Sequence, residues 1–441
     1  MSRSPRPPPG LPGRRLGSYT GGSDGKGGAK VTKSKILLLR YHDGTAKPNW
    51  GGRATSMALS QILDNHSAGI VADVINGVRV TTDIERTAAE LEPGVRKRRI
   101  PAYHMPVAER AAELAASRAT LPDIDAIMTQ VEACDHLVVN GEGDFILTER
   151  RSLWRCLLMM AFAIAAGKPV HLVNVMISAD RLGAIDPNVV DAIRPILDAC
   201  ASVVVRDPES LRLSADVFPH ARARLCPDSL FGWAGSAGAL ASLADTWAIE
   251  EGLPPDVRRA LRKDYVLVSG SSFLLRTDDP ARAEARLAEY TQGLGGIGVE
   301  PVIVATCSGD DWMVDAARRI GLPAVPAHVP LSTGIRLMAH ARLFVSGRYH
   351  PSILSAVSGT PSLFMRSNSH KTRSLPELLA MPDPVEHPFF SEDQPVAALV
   401  DATSTALAGE ATERARLRTR VAELADEARA LPSLLPGLEP A

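Results

Sequence analysis

The sequence predicts an α/β protein built of two Rossmann-like domains that face each other across a cleft. From Lys35 onward, short apolar segments alternate with segments of helical periodicity, which is typical of βαβ units and parallel sheets. This alternation runs in two consecutive series, and the 441 residues exceed the roughly 250–300 residues at which a single core stops growing. Two sheets with a ligand cleft between them therefore follow.

Composition divides the chain into five predicted segments. Residues 1–34, dense in Pro, Gly, Ser, Arg and Lys, are too polar to build a core, and we expect a disordered basic tail. A stretch rich in Ala, Gly and charge separates the two α/β series. The remaining segments are an N-terminal α/β domain at 35–232, a linker at 233–263, a C-terminal α/β domain at 264–395 and a C-terminal helix at 396–441.

The first series of elements predicts the position of a ligand-binding edge of the first sheet. Its predicted strands are 35–40, 69–75, 136–140, 170–175 and 203–206, and its predicted helices are 54–63, 107–117, 123–133, 153–166 and 189–199. Asp207 and Pro208 then supply an N-cap and a first-turn proline for a further helix. Arg206 is therefore placed at the carboxyl end of a strand, where open α/β sheets bind ligands.

The second series begins with a predicted strand at 265–269 and a turn at 270–272. Further strands are predicted at 301–306, 343–345 and 362–365, and helices at 280–294, 311–320 and 333–341. The segment 346–350 reads as a loop, with a helix beginning at Pro351. A long amphipathic helix at 406–431 closes the series.

Charge and cysteine usage exclude several classes of function. Lys plus Arg number 49 and Asp plus Glu 50, so no global field favours nucleic acid or anionic lipid. Five widely spaced cysteines without a CxxC pair argue against disulfides and zinc, and favour a reducing cytoplasm. No run reaches the roughly 18–20 apolar residues of a membrane span, so none is predicted. Peripheral association with the inner face of the membrane stays open.

The most informative stretch is 346–351, where a strand ends in a glycine turn before a helix. Backbone N–H groups at such a helix start attract phosphate or carboxylate, and Arg348 and Lys371 add direct charge beside Gly347. Histidine is the side chain that most readily exchanges protons near neutral pH, so His350 is the candidate for proton exchange. The alternatives are a structural histidine at position 350 and an ion pair between Arg206 and an acid such as Asp207.

These motifs resemble those of the polysaccharide pyruvyl transferases. Residues 345–350, with the later Gly359-Thr360-Pro361 and Lys371, are similar to the Gly-Arg-Leu-His segment of that family. Residues 203–210 are similar to its Arg-Asp-x-x-Ser element. The remaining similarities are Asp228 to the following aspartate, Asn49-Trp50-Gly51 to the start of an Asn-x-Gly-Asp loop, and 140–143 to a glycine-rich turn.

The sequence also departs from the family pattern at four places. Gly52 stands where the N-terminal loop has an acid, and Asn140 and Glu142 interrupt the glycine turn. Tyr349 replaces leucine, and the segment 173–176 lacks a Gly-Pro pair. The C-terminal, donor side therefore matches better than the N-terminal, acceptor side.

The resemblance implies a GT-B-like fold and transfer of pyruvate from phosphoenolpyruvate to a sugar of a cell-surface polysaccharide or exopolysaccharide as a cyclic ketal. It implies a saccharide acceptor, with a lipid-linked one left open, and no cofactor. The lack of HExxH, EF-hand and P-loop patterns argues against a metal, and the balanced charge argues against nucleic acid. Within this scheme His350 is catalytic. The donor-binding residues are Arg206, Arg348, Lys371 and Gly347, and the acceptor or orienting residues are Asn49, Asp228 and Glu142.

Two other functions stay open. A GT-B nucleotide-sugar glycosyltransferase would share the architecture, although such enzymes often grip the ribose with a carboxylate and no Asp or Glu lies between His350 and Glu377. A non-catalytic sugar-binding protein on this fold is the second alternative.

The acid pairs Asp278-Asp279 and Asp310-Asp311 are predicted to be solvated residues at helix starts, which argues against a metal site at either pair.

Overall fold

A computed structural model describes residues 34–40, 42, 48–64, 67–72, 107–116, 118–120, 122–148, 151–235, 253–273, 280–392 and 395–438. The predicted tail, apart from residue 34, lies outside these ranges, as do Asp278-Asp279 and most of the predicted linker. In the part of the chain that the structure describes, no helix combines the length and apolar character needed to cross a membrane.

The first sheet has six strands, all paired in parallel, in the order β2-β1-β3-β5-β7-β8. They are β1 (Ser34–Leu39), β2 (Ser67–Ala72), β3 (His136–Asn140), β5 (Val170–Val175), β7 (Ser202–Val205) and β8 (Arg224–Leu225). The short strands β4 (Phe145–Ile146) and β6 (Ile177–Ser178) form a separate pair. Apolar residues fill both faces because helices cover a parallel sheet on both sides.

Six α-helices accompany the first sheet within the described ranges: α1 (Trp50–Asp64), α2 (Val107–Ala116), α3 (Pro122–Ala133), α4 (Arg151–Ala165), α5 (Pro187–Asp198) and α6 (Pro208–Val217). Helix α6 begins as predicted. The Asp207 carboxylate accepts from the Ser210 backbone N–H at 2.8 Å, and Pro208 occupies the first helical position.

The second sheet also has six parallel strands, in the order β11-β10-β9-β12-β13-β14. They are β9 (Tyr265–Ser271), β10 (Glu300–Val304), β11 (Ala324–Val325), β12 (Leu343–Gly347), β13 (Ser362–Met365) and β14 (Glu386–His387). The predicted turn at 270–272 is wrong for its first two residues, because Gly347 of β12 pairs with Ser271 and extends β9. Counted from β9, this is the 3-2-1-4-5-6 order of a Rossmann sheet.

The helices of the second half are α7 (Pro255–Ala260), α8 (Pro280–Gly296), α9 (Asp311–Arg319), α10 (Leu331–His340), α11 (Tyr349–Val357) and α12 (Lys371–Leu378). Helix α11 begins two residues before the predicted Pro351. Arg348 is its N-cap, and the Ser352 N–H donates to the Arg348 carbonyl at 3.2 Å. Pro351 fits in the first turn because its missing N–H would have no helical partner there. His350 is therefore a helical residue and not a loop residue.

The C-terminal segment is two helices and not the single predicted one. Helix α13 (Val396–Ala408) ends at Gly409, and α14 (Glu410–Arg429) begins after it. The Gly409 N–H still bonds backward to α13 while its carbonyl accepts from Glu413, so the ladder restarts at this residue. Leu431, Leu435 and Leu438 then pack under the first sheet, which ties the end of the chain to the N-terminal half.

Helix α1 joins the two halves. Trp50, Ala54 and Ala58 belong to the core that covers one face of the second sheet. The Trp50 indole N–H donates to the Ala327 carbonyl at 2.9 Å, and Asn49 forms an isolated bridge with Cys307. The start of α1 therefore contacts residues that follow β10 in the second half.

Candidate functional site

The predicted site residues lie at the carboxyl ends of the parallel strands. In the second sheet, the strand order reverses between β9 and β12, and this pair ends in Ser271 and Gly347. In the first sheet it reverses between β1 and β3, and β3 ends at Asn140. Ligands of open α/β sheets bind at such reversals, so each half offers one binding crevice by topology.

Gly347 allows β9 and β12 to approach closely at the second reversal. A β-carbon on Gly347 would overlap the Ser271 side chain and lie 2.9 Å from the Arg366 carbonyl oxygen. The Ser271 hydroxyl donates to that same carbonyl at 2.6 Å. Only glycine fits here, so Gly347 shapes the turn that presents Arg348.

Arg348 is held by a buried carboxylate. Its Nη2 and Nε lie 2.6 and 3.1 Å from Asp310 Oδ1, and Asp310 is fully buried. The other oxygen of Asp310 accepts from the Thr306 N–H and hydroxyl, each at 3.1 Å. Asp310 is at a helix start as predicted, since it is the N-cap of α9, but its prediction as a solvated acid is wrong because it is fully buried against Arg348. Asp311, in the first turn of α9, is exposed as predicted.

Ser272 connects two cations at the reversal of the second sheet. Its hydroxyl accepts from Arg348 Nη1 at 3.2 Å and from Lys371 Nζ at 3.1 Å. Lys371 is the first residue of α12, and Arg348 is the N-cap of α11. Two side-chain cations and two helix starts are thus brought to one serine, which is an arrangement suited to an anion.

His350 lies between a carboxylate and a guanidinium from the first half. Its Nε2 lies 3.2 Å from Asp228 Oδ2 and 3.1 Å from Arg206 Nη1. Nε2 can donate to Asp228 or accept from Arg206, and the two roles require different protonation of the same nitrogen. The imidazole, 12% exposed, is therefore fixed in place while its proton has two alternative states.

Asp228 stays ionised in the interior. Burial alone would raise its pKa, but the charge and hydrogen bond of His350, the charge of Arg206 and the hydrogen bond of Thr55 lower the pKa of Asp228 to about 2. Its Oδ1 accepts from the Thr55 hydroxyl at 2.7 Å and from the Leu230 N–H at 3.0 Å. The carboxylate is thus held on one oxygen and presents the other to the imidazole.

Arg206 is only 1% exposed and does not lie on the surface of the crevice. Its guanidinium carbon stacks over the Tyr349 ring at 4.0 Å from the centroid, and Nη1 lies 3.5 Å from Asp228. The ion pair that sequence alone allowed with Asp207 is made with Asp228, because Asp207 caps α6 and contacts His370 Nε2 at 3.0 Å.

Glu142 and Asn140 meet at the reversal of the first sheet. Glu142, 8% exposed and with φ 44°, accepts from Asn140 Nδ2 at 3.2 Å and lies 3.4 Å from His42 Nε2. Asn49, also predicted as an acceptor or orienting residue, does not join Glu142 and Asn140. Its side-chain oxygen caps α1 by accepting from the Gly52 N–H at 3.0 Å. Asn49 therefore lies against the second half, next to Cys307.

The sequence did not single out Ser272, Thr55, Asn174 or His370 as individual site residues. Ser272, Thr55 and His370 contact residues named by the sequence analysis, and Asn174 contacts Ser229 beside Asp228. Each contact joins elements distant in the chain, so spacing carried no signal for it. Asp310 had a signal, since it follows a strand of the second sheet as Arg206 follows one of the first. Within the described residues, no group of three or more His, Cys, Asp or Glu side chains could hold a metal ion.

Two parallel six-stranded sheets with binding residues at their carboxyl edges define a GT-B-like α/β protein, and solved structures agree. The UDP-GlcNAc 2-epimerase of Neisseria meningitidis, bound to UDP-GlcNAc, has a TM-score of 0.53 at 12% identity over 91% of this chain and 99% of its own. A UDP-forming trehalose-phosphate synthase of Burkholderia xenovorans has 0.52 at 12% identity, over 93% and 100%. The N-terminal domain of a Candida albicans trehalose-6-phosphate phosphatase has 0.52 at 10% identity, over 94% and 99%.

The sequence comparison gives the family within this fold. The model of the polysaccharide pyruvyl transferases matches residues 49–369, which is more than half of the chain. The chain belongs to the polysaccharide pyruvyl transferase family, and this family implies a transferase. A search of curated proteins found no matching sequence.

Proposed function

We propose that this protein transfers pyruvate from phosphoenolpyruvate to two hydroxyls of one sugar, forming a cyclic ketal on a cell-surface polysaccharide or exopolysaccharide. The observation that carries the proposal is the position of His350, two residues after Arg348 at the start of α11. The Arg348 and Lys371 cations share Ser272 there, and Asp228 holds the imidazole. A compact dianionic donor requires cations and a proton-exchanging group within one site.

The donor would occupy the second-sheet reversal. Asp310 already compensates part of the Arg348 charge, so Lys371 and the first N–H groups of α11 supply the remaining attraction for phosphate and carboxylate. Arg348 contributes directed N–H donors in addition to its charge. Arg206, which is buried against Asp228 and Tyr349, acts on the donor through the imidazole that it contacts.

The reaction needs proton transfer but no change of oxidation state. The methylene carbon of phosphoenolpyruvate gains a proton and becomes a methyl group, while the first sugar hydroxyl bonds to the adjacent carbon. The bond from that carbon to the phosphate oxygen then breaks, and the second hydroxyl bonds in its place. The two hydroxyl protons balance the new methyl group and the released phosphate. His350 carries the proton to the methylene, and Asp228 orients the imidazole.

The acceptor would bind from the first-sheet reversal. Glu142 and His42 offer an acceptor and a donor to sugar hydroxyls there, and Asn140 fixes the Glu142 carboxylate. Asn49 orients α1 through its cap and acts on the acceptor indirectly. A lipid-linked saccharide used at the inner face of a membrane is part of this proposal, as are the absence of a cofactor and of a nucleic-acid partner.

The deciding experiment compares ligands. Thermal unfolding is followed with phosphoenolpyruvate and, separately, with UDP-GlcNAc and UDP-glucose, and phosphate release is then measured with methyl glycosides of glucose, galactose and mannose. We expect stabilisation by phosphoenolpyruvate and acceptor-dependent phosphate release, and we expect His350→Ala to lose the phosphate release while keeping the stabilisation. Stabilisation by a nucleotide sugar alone would support the glycosyltransferase, and stabilisation by neither would support a sugar-binding protein.

A further inference from the structure

Strand β5 contains an irregularity directly behind the site. Its register with β7 shifts between Leu172 and Val175, and Asn174 within this shift has φ 50°. Such bulges redirect a side chain and are frequent beside active sites. Asparagine tolerates the left-handed region better than most residues, but glycine would adopt it with no strain at all. The presence of a side chain at this position therefore calls for a reason.

The Asn174 amide supplies that reason, because both of its ends bind the residue after Asp228. Its Nδ2 donates to the Ser229 hydroxyl at 2.7 Å, and its Oδ1 accepts from the Ser229 N–H at 3.0 Å. Asn174 is 2% exposed and Ser229 is fully buried. Two hydrogen bonds to one residue fix the direction in which the chain leaves β8.

The same network reaches the carboxylate. Thr55 donates to Asp228 Oδ1 at 2.7 Å, and the Ser229 hydroxyl lies 3.2 Å from the Thr55 carbonyl. Asn174 Nδ2 also lies 3.4 Å from Thr55 Oγ1. Asp228 is therefore fixed through the next residue of its backbone and through Oδ1, while Oδ2 faces His350 of the other half and Arg206.

We propose that Asn174 is a positioning residue that sets Asp228 against His350, and through Asp228 the imidazole for proton transfer. A weaker contact of 3.4 Å from Asn174 Nδ2 to Asn140 Oδ1 extends the network to the residue that binds Glu142. One strand bulge thus connects the acceptor side to the catalytic histidine. The catalytic part of this inference rests on the proposed function, whereas the contact part does not.

The contact part is tested without turnover. Asp228→Asn, His350→Gln and the double variant form a cycle in which the non-additive shift of the thermal midpoint measures the coupling between the two side chains. We expect Asn174→Gly, which keeps the backbone relaxed and removes the amide, to reduce this coupling by at least half. If the coupling is unchanged while all midpoints fall equally, Asn174 is merely structural and the inference is wrong.

Two further variants, one with a partial change and one control, test the same inference. Asn174→Asp keeps the acceptor for the Ser229 N–H and loses the donor to the Ser229 hydroxyl, so it should give an intermediate coupling and replaces Asn174→Gly should the latter not fold. Arg222→Gly relieves an equally left-handed residue, φ 46°, at an exposed position, and should leave the coupling unchanged. A loss of coupling in Arg222→Gly would also refute the inference.

The catalytic part is tested by kinetics with phosphoenolpyruvate. Because the hydrogen bonds of Asn174 lead to Ser229, Thr55 and Asn140 and thus toward Asp228, we expect Asn174→Gly to lower kcat at least tenfold and to change KM for phosphoenolpyruvate less than threefold. An equal loss in both parameters, or an unchanged kcat, would contradict the positioning role. Failure of the wild type to bind phosphoenolpyruvate would refute the proposed function alone, since the coupling cycle does not involve this ligand.

Discussion

Gly51 in α1 lies directly against His350 in α11. A β-carbon on Gly51 would be 2.6 Å from the His350 β-carbon and 3.2 Å from its Nδ1. Helix α1 enters from the first half of the chain, so the position of the imidazole depends on a close approach between the two halves. The residue of the Asn49-Trp50-Gly51 motif that lies beside the histidine is therefore a glycine, which carries no reactive group.

Gly51→Ala is expected to separate the two helices. Inserting a methyl group into a full contact costs about 1–3 kcal/mol of unfolding free energy, and we expect at least a tenfold loss of pyruvyl transfer. Chemical denaturation and phosphate release measure the two effects. The control is Gly295→Ala in α8, where nothing lies within 4 Å, which should stabilise the protein by roughly 0.5–1 kcal/mol. Full activity in Gly51→Ala would refute the dependence on this contact.

Arg348→Ala should destabilise the fold as well as weaken donor binding. The change leaves the fully buried Asp310 carboxylate without its cation, which costs about 3–5 kcal/mol. Adding Asp310→Asn should restore part of this loss, because the unpaired charge is removed, while phosphoenolpyruvate affinity stays low. Denaturation and calorimetry measure these quantities.

The matched control for Arg348→Ala is Arg318→Ala. Arg318 pairs with Asp315 on the surface, with both side chains about three-fifths exposed. A change close to zero is expected for it. A loss of stability in Arg348→Ala no greater than in this control would contradict the buried ion pair.

Ser272→Ala should weaken phosphoenolpyruvate binding with little effect on stability. The serine hydroxyl aligns Arg348 and Lys371, and losing one such hydrogen-bonding group costs about 1 kcal/mol, or roughly a fivefold rise in KM. Steady-state kinetics measure it. Ser433→Ala, remote in the C-terminal segment, is the control and should leave KM unchanged. A fall in kcat at constant KM would argue against the donor role of Ser272.

Acid should destabilise the protein through a buried histidine pair far from the site. His136 Nδ1 lies 3.0 Å from His171 Nε2, and His171 Nδ1 lies 2.9 Å from the Ser202 hydroxyl. Burial lowers the pKa of His171 from 6.5 to about 3, and the charge of the neighbouring His136 makes a smaller contribution in the same direction. The unfolded chain therefore takes up this proton first, and stability falls as pH decreases from about 6.5 toward 3.

Between pH 6.5 and pH 5 this group should remove about 2 kcal/mol of unfolding free energy. Denaturation at several pH values tests it, with His171→Gln expected to flatten the dependence in this window. His220→Gln, at an exposed position, should keep the wild-type dependence. An identical slope in His171→Gln and wild type would show that other groups govern this range.

Local sequence rules determined the elements of the fold. The alternation of apolar strands and helices gave the α/β class, and the Asp207-Pro208 start of α6 was predicted correctly because capping depends on adjacent residues. The position of Arg206 at a strand end follows from the same local information. Element boundaries were less accurate: β9 is longer because β12 pairs with it, and α11 begins at Tyr349 rather than at Pro351.

The residues of the candidate site were named by sequence, but their partners were decided by tertiary structure. Sequence alone indicated His350, Arg348, Lys371 and Arg206 as types that bind anions or move protons. That Arg206 and His350, 144 positions apart, meet on Asp228 follows only from the packing of the two halves of the chain. Charge at a site is set by what lies within a few ångströms, and chain spacing carries no information on contacts between separate halves.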